Sequence, residues 1–391
     1  MSELDKVLPY SRQHINDDDI AAVLKVLRSD FLTQGEEVPG FEAEFAAVHH
    51  VPHAIAVSNA TAGLHLACLA LGVGAGDLVW TTPNSFLASA NCALYCGAQI
   101  DFVDIDPHTR QMSLSELASK LEHAQAEKRL PKLVIAVDFA GLPCDWPGLR
   151  RLADDYGFAL LQDASHATGA SLDGKMMASD WADASVFSFH AVKVITTAEG
   201  GMVCCRDPKL ATRIQTLRSH GMVRDPAQML EAPAGPWVYE QQSLGYNYRM
   251  TEMQAALGRS QLRRLPQMQE RREALAERYD HLLQDLPLRL PPRMPGRRSA
   301  WHLYSVELLP GPQWADRATV FARLKAQNLG VQVHYIPIHL QPYYRALGFA
   351  AGDFPAAEAY YAQTISLPLF PGMSDAEQDR VLACLQAALP R

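Results

Sequence analysis

Short β-rich runs alternate with helical patterns through the first half of the chain, from about residue 54 to residue 205. The predicted strands are residues 54–58, 78–80, 99–103, 133–138 and 159–163, and helical patterns between them cover residues 64–71, 86–96 and 113–128. Strands and helices that alternate in this way form a mainly parallel sheet with helices packed against it. We therefore predict an α/β fold whose ligands bind at the carboxyl ends of the strands.

The second half of the chain has a different pattern. Long helical patterns cover residues 251–262 and 267–283, and the proline-rich residues 290–295 are typical of a hinge or linker. Beyond them the sequence predicts a strand at residues 301–308, a helix at 314–326, a strand at 330–335 and a helix at 374–389. We predict two domains, a large α/β domain of residues 1–250 and a smaller C-terminal α+β domain of residues 251–391.

The composition of the 391-residue chain is that of an ordinary soluble protein, with 48% hydrophobic and 20% charged residues and a formal net charge of −8. The acidic balance argues against a nucleic-acid-binding surface. No segment approaches the roughly 18 consecutive apolar residues of a membrane span, and residues 1–5 lack the charged and apolar regions of a signal peptide. We expect a cytoplasmic protein with no nucleic-acid or membrane partner.

The cysteine and histidine patterns do not indicate a metal site. Seven cysteines, an odd number, are scattered without a C-x-x-C pair, which is typical of reduced thiols. His49, His50 and His53 lie together before the first predicted strand, but no cysteine or acidic residue accompanies them. We therefore predict no metal.

Lys193 lies where an apolar, aromatic strand meets a turn rich in threonine and glycine. Burial disfavours the ammonium form, so a lysine at the end of a packed strand can supply the free amine that traps a carbonyl group. From this segment alone the alternative is a lysine whose ammonium group extends into water.

Two further segments carry candidate groups at strand ends. Residues 58–63 follow a strand and open a helix, so their backbone N–H groups can bind a phosphate, although serine and threonine are also ordinary helix caps. Asp163 ends a buried strand and needs a partner, which is either a structural donor or the protonated ring nitrogen of a pyridine cofactor. His166 follows it and is either a ligand-binding or a core histidine.

Together these groups form a consistent set. A phosphate cradle, an acid for a pyridine nitrogen and a carbonyl-trapping lysine occur in that order at successive strand ends, and Ser188 adds a hydroxyl group near Lys193. This set of groups is typical of an enzyme that uses pyridoxal 5'-phosphate.

The chain also resembles the DegT/StrS sugar-nucleotide aminotransferases, which belong to the fold type I pyridoxal-phosphate enzymes. The matching stretches are SNATAGL at residues 58–64, TPNSF at 82–86, FVDID at 102–106, DASHATGA at 163–170, the Lys193 segment, RSHGM at 218–222 and GYNYRM at 245–250. Within that group the chain is most similar to the aminotransferases of pseudaminic acid biosynthesis, through LTQG at 32–35, SFHAVK at 188–193, ITTAEGG at 195–201 and VHYIPI at 333–338.

The resemblance implies roles for individual residues. Lys193 forms the Schiff base with the cofactor and Asp163 faces its ring nitrogen. The other implied cofactor contacts are Ala60, Thr61 and Ser188 at the phosphate, Phe86 stacked on the ring, and His166 near the ring hydroxyl. Asn247 would reach the phosphate site of the neighbouring subunit, which implies a homodimer with shared active sites. Implied sugar-nucleotide contacts are Tyr10, Asp30, Phe31, Leu32, Thr33, His334, Tyr335, Pro337 and His339.

The implied reaction is a transamination in two half-reactions that share Lys193. L-Glutamate gives its amino group to the cofactor and leaves as 2-oxoglutarate, and the amino group then passes to C4 of a UDP-linked 4-keto-6-deoxy-N-acetylhexose. The product would be UDP-4-amino-4,6-dideoxy-N-acetyl-beta-L-altrosamine. The alternatives are another sugar-nucleotide 4- or 3-aminotransferase, of the bacillosamine or perosamine type, and a cofactor-binding regulator without turnover. An intact lysine and acid argue against the regulator.

Overall fold

A computed structural model describes residues 6–176, 178 and 180–390 of the chain. Residues 1–5, on which the prediction about a signal peptide depends, lie outside this range. The helices are α1 (Asp17–Leu27), α2 (Glu37–Val48), α3 (Ala60–Ala70), α4 (Ala88–Tyr95), α5 (Leu114–Ala126), α6 (Trp146–Tyr156), α7 (Pro208–Arg218), α8 (Glu252–Arg263), α9 (Leu265–Leu283), α10 (Arg317–Ala326), α11 (Pro342–Ala346), α12 (Pro355–Gln363) and α13 (Asp375–Ala388). Within the described residues, none of these helices has both the length and the apolar character that crossing a membrane requires.

A seven-stranded sheet forms the centre of the fold. Its strands are β2 (His53–Val57), β3 (Leu78–Thr81), β4 (Gln99–Phe102), β5 (Leu133–Val137), β6 (Ala159–Asp163), β9 (Ala184–Ser188) and β10 (Gly201–Cys205), in the spatial order β2, β10, β9, β6, β5, β3, β4. β10 pairs antiparallel with both of its neighbours, β2 and β9, and the other strand pairs of this sheet are parallel. The prediction of a mainly parallel sheet is confirmed.

Helices cover both faces of the sheet, which explains why a central strand such as β5 is a continuous apolar run. In β5, Leu133 and Ile135 pack into the core beneath α3 and α4, whereas Val134 and Ala136 pack into the core beneath α5 and α6. The first core also receives side chains from α7, and a third core joins α2 and α8 to the β2, β10 and β9 end of the sheet. The central sheet is therefore a buried middle layer.

The C-terminal part of the chain has its own core. Three antiparallel strands form its sheet, β13 (Leu288–Arg289), β15 (Tyr304–Leu308) and β17 (Thr364–Leu367), and side chains of α9, α10 and α13 pack with them. Smaller pairings involve β1 (Leu8–Pro9), β7 (Ser171–Leu172), β8 (Lys175–Met176), β11 (Met222–Val223), β12 (Glu240–Gln241), β14 (Arg297–Arg298) and β16 (Leu329–Gly330).

Because Ala255 and Leu262 of α8 lie in one core with Phe41 and Phe45 of α2, core packing crosses residue 250. The division into two domains there stays a prediction.

The predicted strand at residues 330–335 is wrong for most of its length. Only Gly330 is in a strand, the short β16, which pairs with β1, and Gln332 forms an isolated bridge with Ser366. The segment therefore changes partners within two residues, and His334 and Tyr335 face a pocket beside the central sheet. A strand pattern in the sequence cannot reveal this change of partner.

Candidate active site

A cavity of about 780 Å³ opens at the carboxyl edge of the central sheet. Most of the candidate cofactor residues line it: Ala60, Thr61, Phe86, Asp163, His166, Ser188 and Lys193. Tyr10, His334 and Tyr335, three of the implied sugar contacts, also line it. The groups that follow successive strands therefore meet in one place, as expected for parallel strands.

One wall of the cavity is the N-terminus of α3. The Oδ1 atom of Asn59 accepts a hydrogen bond from the N–H group of Ala62 at 2.8 Å, so Asn59 caps the helix. The N–H groups of Ala60 and Thr61 precede the first bonds within the helix and need an acceptor from outside it. A Cβ atom at Gly201 would lie 2.8 Å from the Ala60 nitrogen, so glycine keeps the β10 backbone close to this wall. The result is a cradle suited to an anion such as phosphate.

Asp163 is buried at the end of β6 with both carboxylate oxygens hydrogen-bonded. Its Oδ2 atom accepts from the Ser89 hydroxyl group at 2.7 Å, and its Oδ1 atom accepts from the Ser165 N–H group at 3.0 Å. Since both partners donate, they satisfy the charged carboxylate. Asp163 is therefore prepared to accept a further hydrogen bond from a cationic donor in the cavity.

Lys193 lies on a loop that leaves the sheet after Ser188 and returns at Gly201. The Ser188 and Gly201 positions are paired across β9 and β10, so the loop starts and ends at the cavity edge. Burial lowers the pKa of the Lys193 amine to about 8, although the nearby Asp163 carboxylate acts in the opposite direction. A substantial fraction of this amine is therefore neutral near physiological pH, as a carbonyl-trapping lysine requires.

Histidine and tyrosine side chains surround the lysine. The Nδ1 atom of His166 accepts a hydrogen bond from the Ala140 N–H group at 3.2 Å, which places the ring proton on Nε2. His166 Nε2 then donates to the Tyr335 hydroxyl oxygen at 3.1 Å, and the Tyr335 proton is left for another acceptor. Burial and the charge of Lys193 lower the His166 pKa well below its ordinary value and the His334 pKa to about 3. These imidazoles are therefore neutral.

The remaining predicted residues do not line the cavity. Asp30, Phe31, Leu32 and Thr33 are exposed at the surface, and Asn247 is exposed on the segment before α8. Pro337 is buried outside the lining, and His339 is fully buried against Glu358, with an Nε2 to Oε1 distance of 2.9 Å. A hydrogen bond within the fold accounts for His339 in this chain without a ligand.

Several lining residues were missed by the sequence reasoning. They are His65, Ser85, Ala88, Tyr95, Val137, Ser165, His190, Val192, Glu199, Tyr248 and His302, whereas Asn59 and Ala62 belong to the predicted cradle at residues 58–63. The four-residue spacing of Ser85 and Ser89 places both hydroxyls on one side of the turn that starts α4, and this signal follows a predicted strand end. His302 comes from the C-terminal half, and its packing at 4.5 Å from the His166 ring depends on the tertiary fold alone.

The groups in the cavity fit pyridoxal phosphate. The cofactor offers an aldehyde, a ring nitrogen that carries a proton, and a phosphate dianion. Lys193, Asp163 and the N-terminus of α3 are the complementary groups, and the glycine at position 201 leaves room beside the cradle. Among the described residues, no cluster of three or more histidine, cysteine or acidic side chains is arranged to hold a metal ion.

Comparison with known proteins agrees with this set of groups. The model of the DegT/DnrJ/EryC1/StrS aminotransferase family matches residues 13–386. The spore coat polysaccharide biosynthesis protein SpsC of Bacillus subtilis (strain 168) is 40% identical over 382 residues, which are 97% of this chain and 96% of that protein.

Solved structures show the same fold over nearly the whole chain. Helicobacter pylori PseC, an aminotransferase involved in the biosynthesis of pseudoaminic acid, has a TM-score of 0.87 at 30% identity and covers 98% of this chain and 99% of its own. The PLP form of the sugar aminotransferase Spr1654 from Streptococcus pneumoniae has a TM-score of 0.87 at 28% identity over 98% of both chains. The predicted fold type I architecture and its cofactor are confirmed. The chain therefore belongs to the DegT/DnrJ/EryC1/StrS aminotransferase family and is a pyridoxal-phosphate-dependent sugar aminotransferase.

Proposed function

We propose that this enzyme transfers the amino group of L-glutamate to C4 of a UDP-linked 4-keto-6-deoxy-N-acetylhexose and forms UDP-4-amino-4,6-dideoxy-N-acetyl-beta-L-altrosamine, a step of pseudaminic acid biosynthesis. One observation carries the proposal of amino transfer: Lys193, Asp163 and the cradle at α3 line a single cavity. The likeness to PseC, an aminotransferase of pseudoaminic acid biosynthesis, supports the choice of sugar.

Each group has a defined task in this proposal. Bound pyridoxal phosphate supplies the carbonyl group that takes up the amino group and the ring that withdraws electrons. The neutral Lys193 amine takes the proton from the donor's α-carbon, and its protonated form delivers a proton to C4 of the sugar. Asp163 holds the ring nitrogen, and Ala60, Thr61 and Ser188 hold the phosphate.

The aromatic part of the cavity is assigned to the ring and the sugar. Phe86 is 58% exposed, with its ring centroid 6.3 Å from that of Tyr335, so its face is available for stacking. Tyr10 and His334 lie together, with ring centroids 5.4 Å apart, at the wall assigned to the sugar nucleotide. Contacts of the sugar nucleotide with residues 30–33, Pro337 and His339 stay predictions.

A homodimer with shared sites is part of the proposal. Tyr246 and Tyr248 stack on each other, with centroids 4.9 Å apart, and contact His65 beside the cavity of their own chain. Asn247 lies between the two tyrosines and is exposed instead. Because neighbouring side chains of an extended segment point in opposite directions, Asn247 is directed away from its own cavity. This placement suits a residue that serves the phosphate site of a second subunit.

Exposed apolar side chains in the segment that precedes Asn247 in the sequence support the same arrangement. Leu230 is 83% exposed, Trp237 75% and Leu244 79%. Large apolar side chains left this exposed are often covered at a protein interface. We also propose that L-glutamate is the amino donor, that the enzyme is a homodimer and that it is cytoplasmic.

A second candidate is another sugar-nucleotide 4- or 3-aminotransferase. The observation in its favour is the 40% identity to SpsC, a spore coat polysaccharide biosynthesis protein, which exceeds the 30% identity to PseC. The two candidates differ in the keto sugar and in the face of the carbon that receives the proton.

The deciding experiment is incubation of the purified, cofactor-loaded enzyme with L-glutamate and each candidate UDP-keto sugar. NMR of the product gives the aminated carbon and its configuration, and a Lys193→Ala variant is the control. A 4-amino product with the altro configuration supports the proposal. Amination of a different sugar, with none of the proposed one, refutes the assigned substrate.

A further inference from the structure

A short chain of serine hydroxyl groups supports Asp163 from α4 and the turn before it. The Ser89 Oγ atom lies 2.7 Å from Asp163 Oδ2, and the Ser85 Oγ atom lies 2.7 Å from Ser89 Oγ. Ser89 has one hydroxyl proton and donates it to the carboxylate, so Ser85 must donate to Ser89. The hydrogen bonds therefore run in one direction, from Ser85 at the cavity wall to the acid.

This arrangement fits a charged Asp163 better than a neutral one. The other carboxylate oxygen faces the Ser165 N–H group, which can only donate. A protonated Asp163 carboxyl group would point its proton at the Ser165 N–H group, which cannot accept it. Otherwise it would donate the proton to Ser89, and the direction of the serine hydrogen bonds would have to reverse. All three side chains, Asp163, Ser85 and Ser89, are buried, so water does not replace these bonds at low cost.

We propose that Ser89 is a positioning residue of the cofactor site, whose hydroxyl group holds Asp163 charged and turned toward the pyridine nitrogen so that the proton stays on the ring. The inference rests on the role given to Asp163 above. Ser89 touches neither sugar nor cofactor in this proposal and acts through the carboxylate. Phe86 lies just before α4 and Ser89 in its first turn, so the start of this helix sets both the stacking ring and the support of the acid.

Other groups near Asp163 do not duplicate this contact. Lys193 interacts with Asp163 through opposite charge, whereas the Tyr335 hydroxyl group, whose pKa is raised mainly by burial, is uncharged; both side chains lie on the cavity side. Ser89 approaches the carboxylate from α4, and replacement by alanine removes a single hydroxyl group without changing a charge.

The test measures where the proton resides. Enzyme loaded with pyridoxal phosphate labelled with ¹⁵N in the ring gives a chemical shift that differs between the protonated and the free nitrogen. In Ser89→Ala we expect the ratio of enzyme with the proton on the ring nitrogen to enzyme with the proton on Asp163 to fall by on the order of tenfold. The reason is the loss of a hydrogen bond to a charged group. The dissociation constant of the cofactor should rise by a similar factor, and Ser89→Thr, which keeps the hydroxyl group, should restore both.

Ser185→Ala is the matched control. Ser185 is a buried serine of β9 whose hydroxyl group donates to Gln162, and Gln162 in turn donates to Asp138 on the other face of the sheet. Its removal should lower thermal stability and leave the ring signal unchanged. If Ser89→Ala behaves in the same way, Ser89 is only structural and the inference is overturned.

A second variant covers the case in which Ser89→Ala does not fold. Ser85→Ala removes the outer donor and leaves the contact to Asp163, so it should move the ring signal in the same direction by a smaller amount. An unchanged signal in Ser85→Ala would then overturn the inference. Wild-type enzyme that binds the cofactor with a protonated ring but does not aminate the proposed sugar refutes the substrate alone. A free ring nitrogen in the wild type refutes the role of Asp163 and the inference together.

Discussion

The clearest quantitative expectation concerns the Lys193 amine in the cofactor-free enzyme. Its pKa of about 8 results from burial, which outweighs the opposing charge of Asp163. At about pH 7.5 such an amine is ~24% neutral, whereas an ordinary lysine with a pKa near 10.4 is ~0.1% neutral, a difference of roughly 200-fold. The neutral amine is the form that attacks the aldehyde of the cofactor.

Replacement of Asp163 by asparagine tests the two causes separately. The carboxylate stabilises the ammonium form, so its loss should lower the Lys193 pKa below the wild-type value, and burial should keep it far below that of an ordinary lysine. Asp155→Asn, which neutralises an exposed carboxylate on α6, is the matched control and should have no effect.

NMR of ¹³C-methylated lysines in the cofactor-free protein gives the titration directly. The signal absent from Lys193→Ala identifies the residue, and its chemical shift is followed from about pH 6 to pH 11. The rate of cofactor uptake should also rise with pH through about 8 and then level off. A midpoint at the value of an ordinary lysine, or a higher midpoint in Asp163→Asn, would refute the reasoning.

Three further outcomes are expected. Gly201→Ala places a Cβ atom 2.8 Å from backbone at the start of α3 and should weaken cofactor binding at least tenfold in a fluorescence titration. In the control Gly74→Ala the new Cβ atom meets no atom within 4 Å, and the cofactor should bind normally. Variants Asn247→Ala and Lys193→Ala, each inactive alone, should regain about a quarter of wild-type activity when mixed and allowed to exchange subunits, because half of the dimers then contain one intact site. No recovery would exclude sites shared between subunits. Tyr335→Phe removes the hydroxyl group that accepts a hydrogen bond from His166 and should lower kcat roughly tenfold with little change in thermal stability. A kcat equal to that of the wild type would show that the hydroxyl group takes no part in the reaction.

The sequence was most informative where one short segment determines the structure. Strands such as β5 are apolar on both faces, and helices such as α5 begin at a recognisable cap, Ser113, so the alternation of elements could be predicted closely. The segment at residues 330–335 failed because its backbone pairs with two partners that are distant in sequence, Pro9 and Ser366. Pattern alone does not contain that information.

The same distinction applies to the site. Asp163 and Lys193 could be proposed because the residues after parallel strands share one edge of the sheet. Ser89 left only the spacing from Ser85 as a signal, and His302 left none, because its position depends on how the C-terminal half packs around that edge. The dimer contact assigned to Asn247 came from resemblance and stays a prediction.

The reversed direction of β10 has a consequence for substitutions in the loop that it closes. Ser188 and Gly201 face each other in the ladder, so the loop that carries position 193 is closed by backbone pairing at its two ends. Main-chain hydrogen bonds do not depend on which side chain the loop presents. A substitution at position 193 therefore changes the side chain that the loop presents to the cavity and leaves the backbone pairing that closes the loop in place.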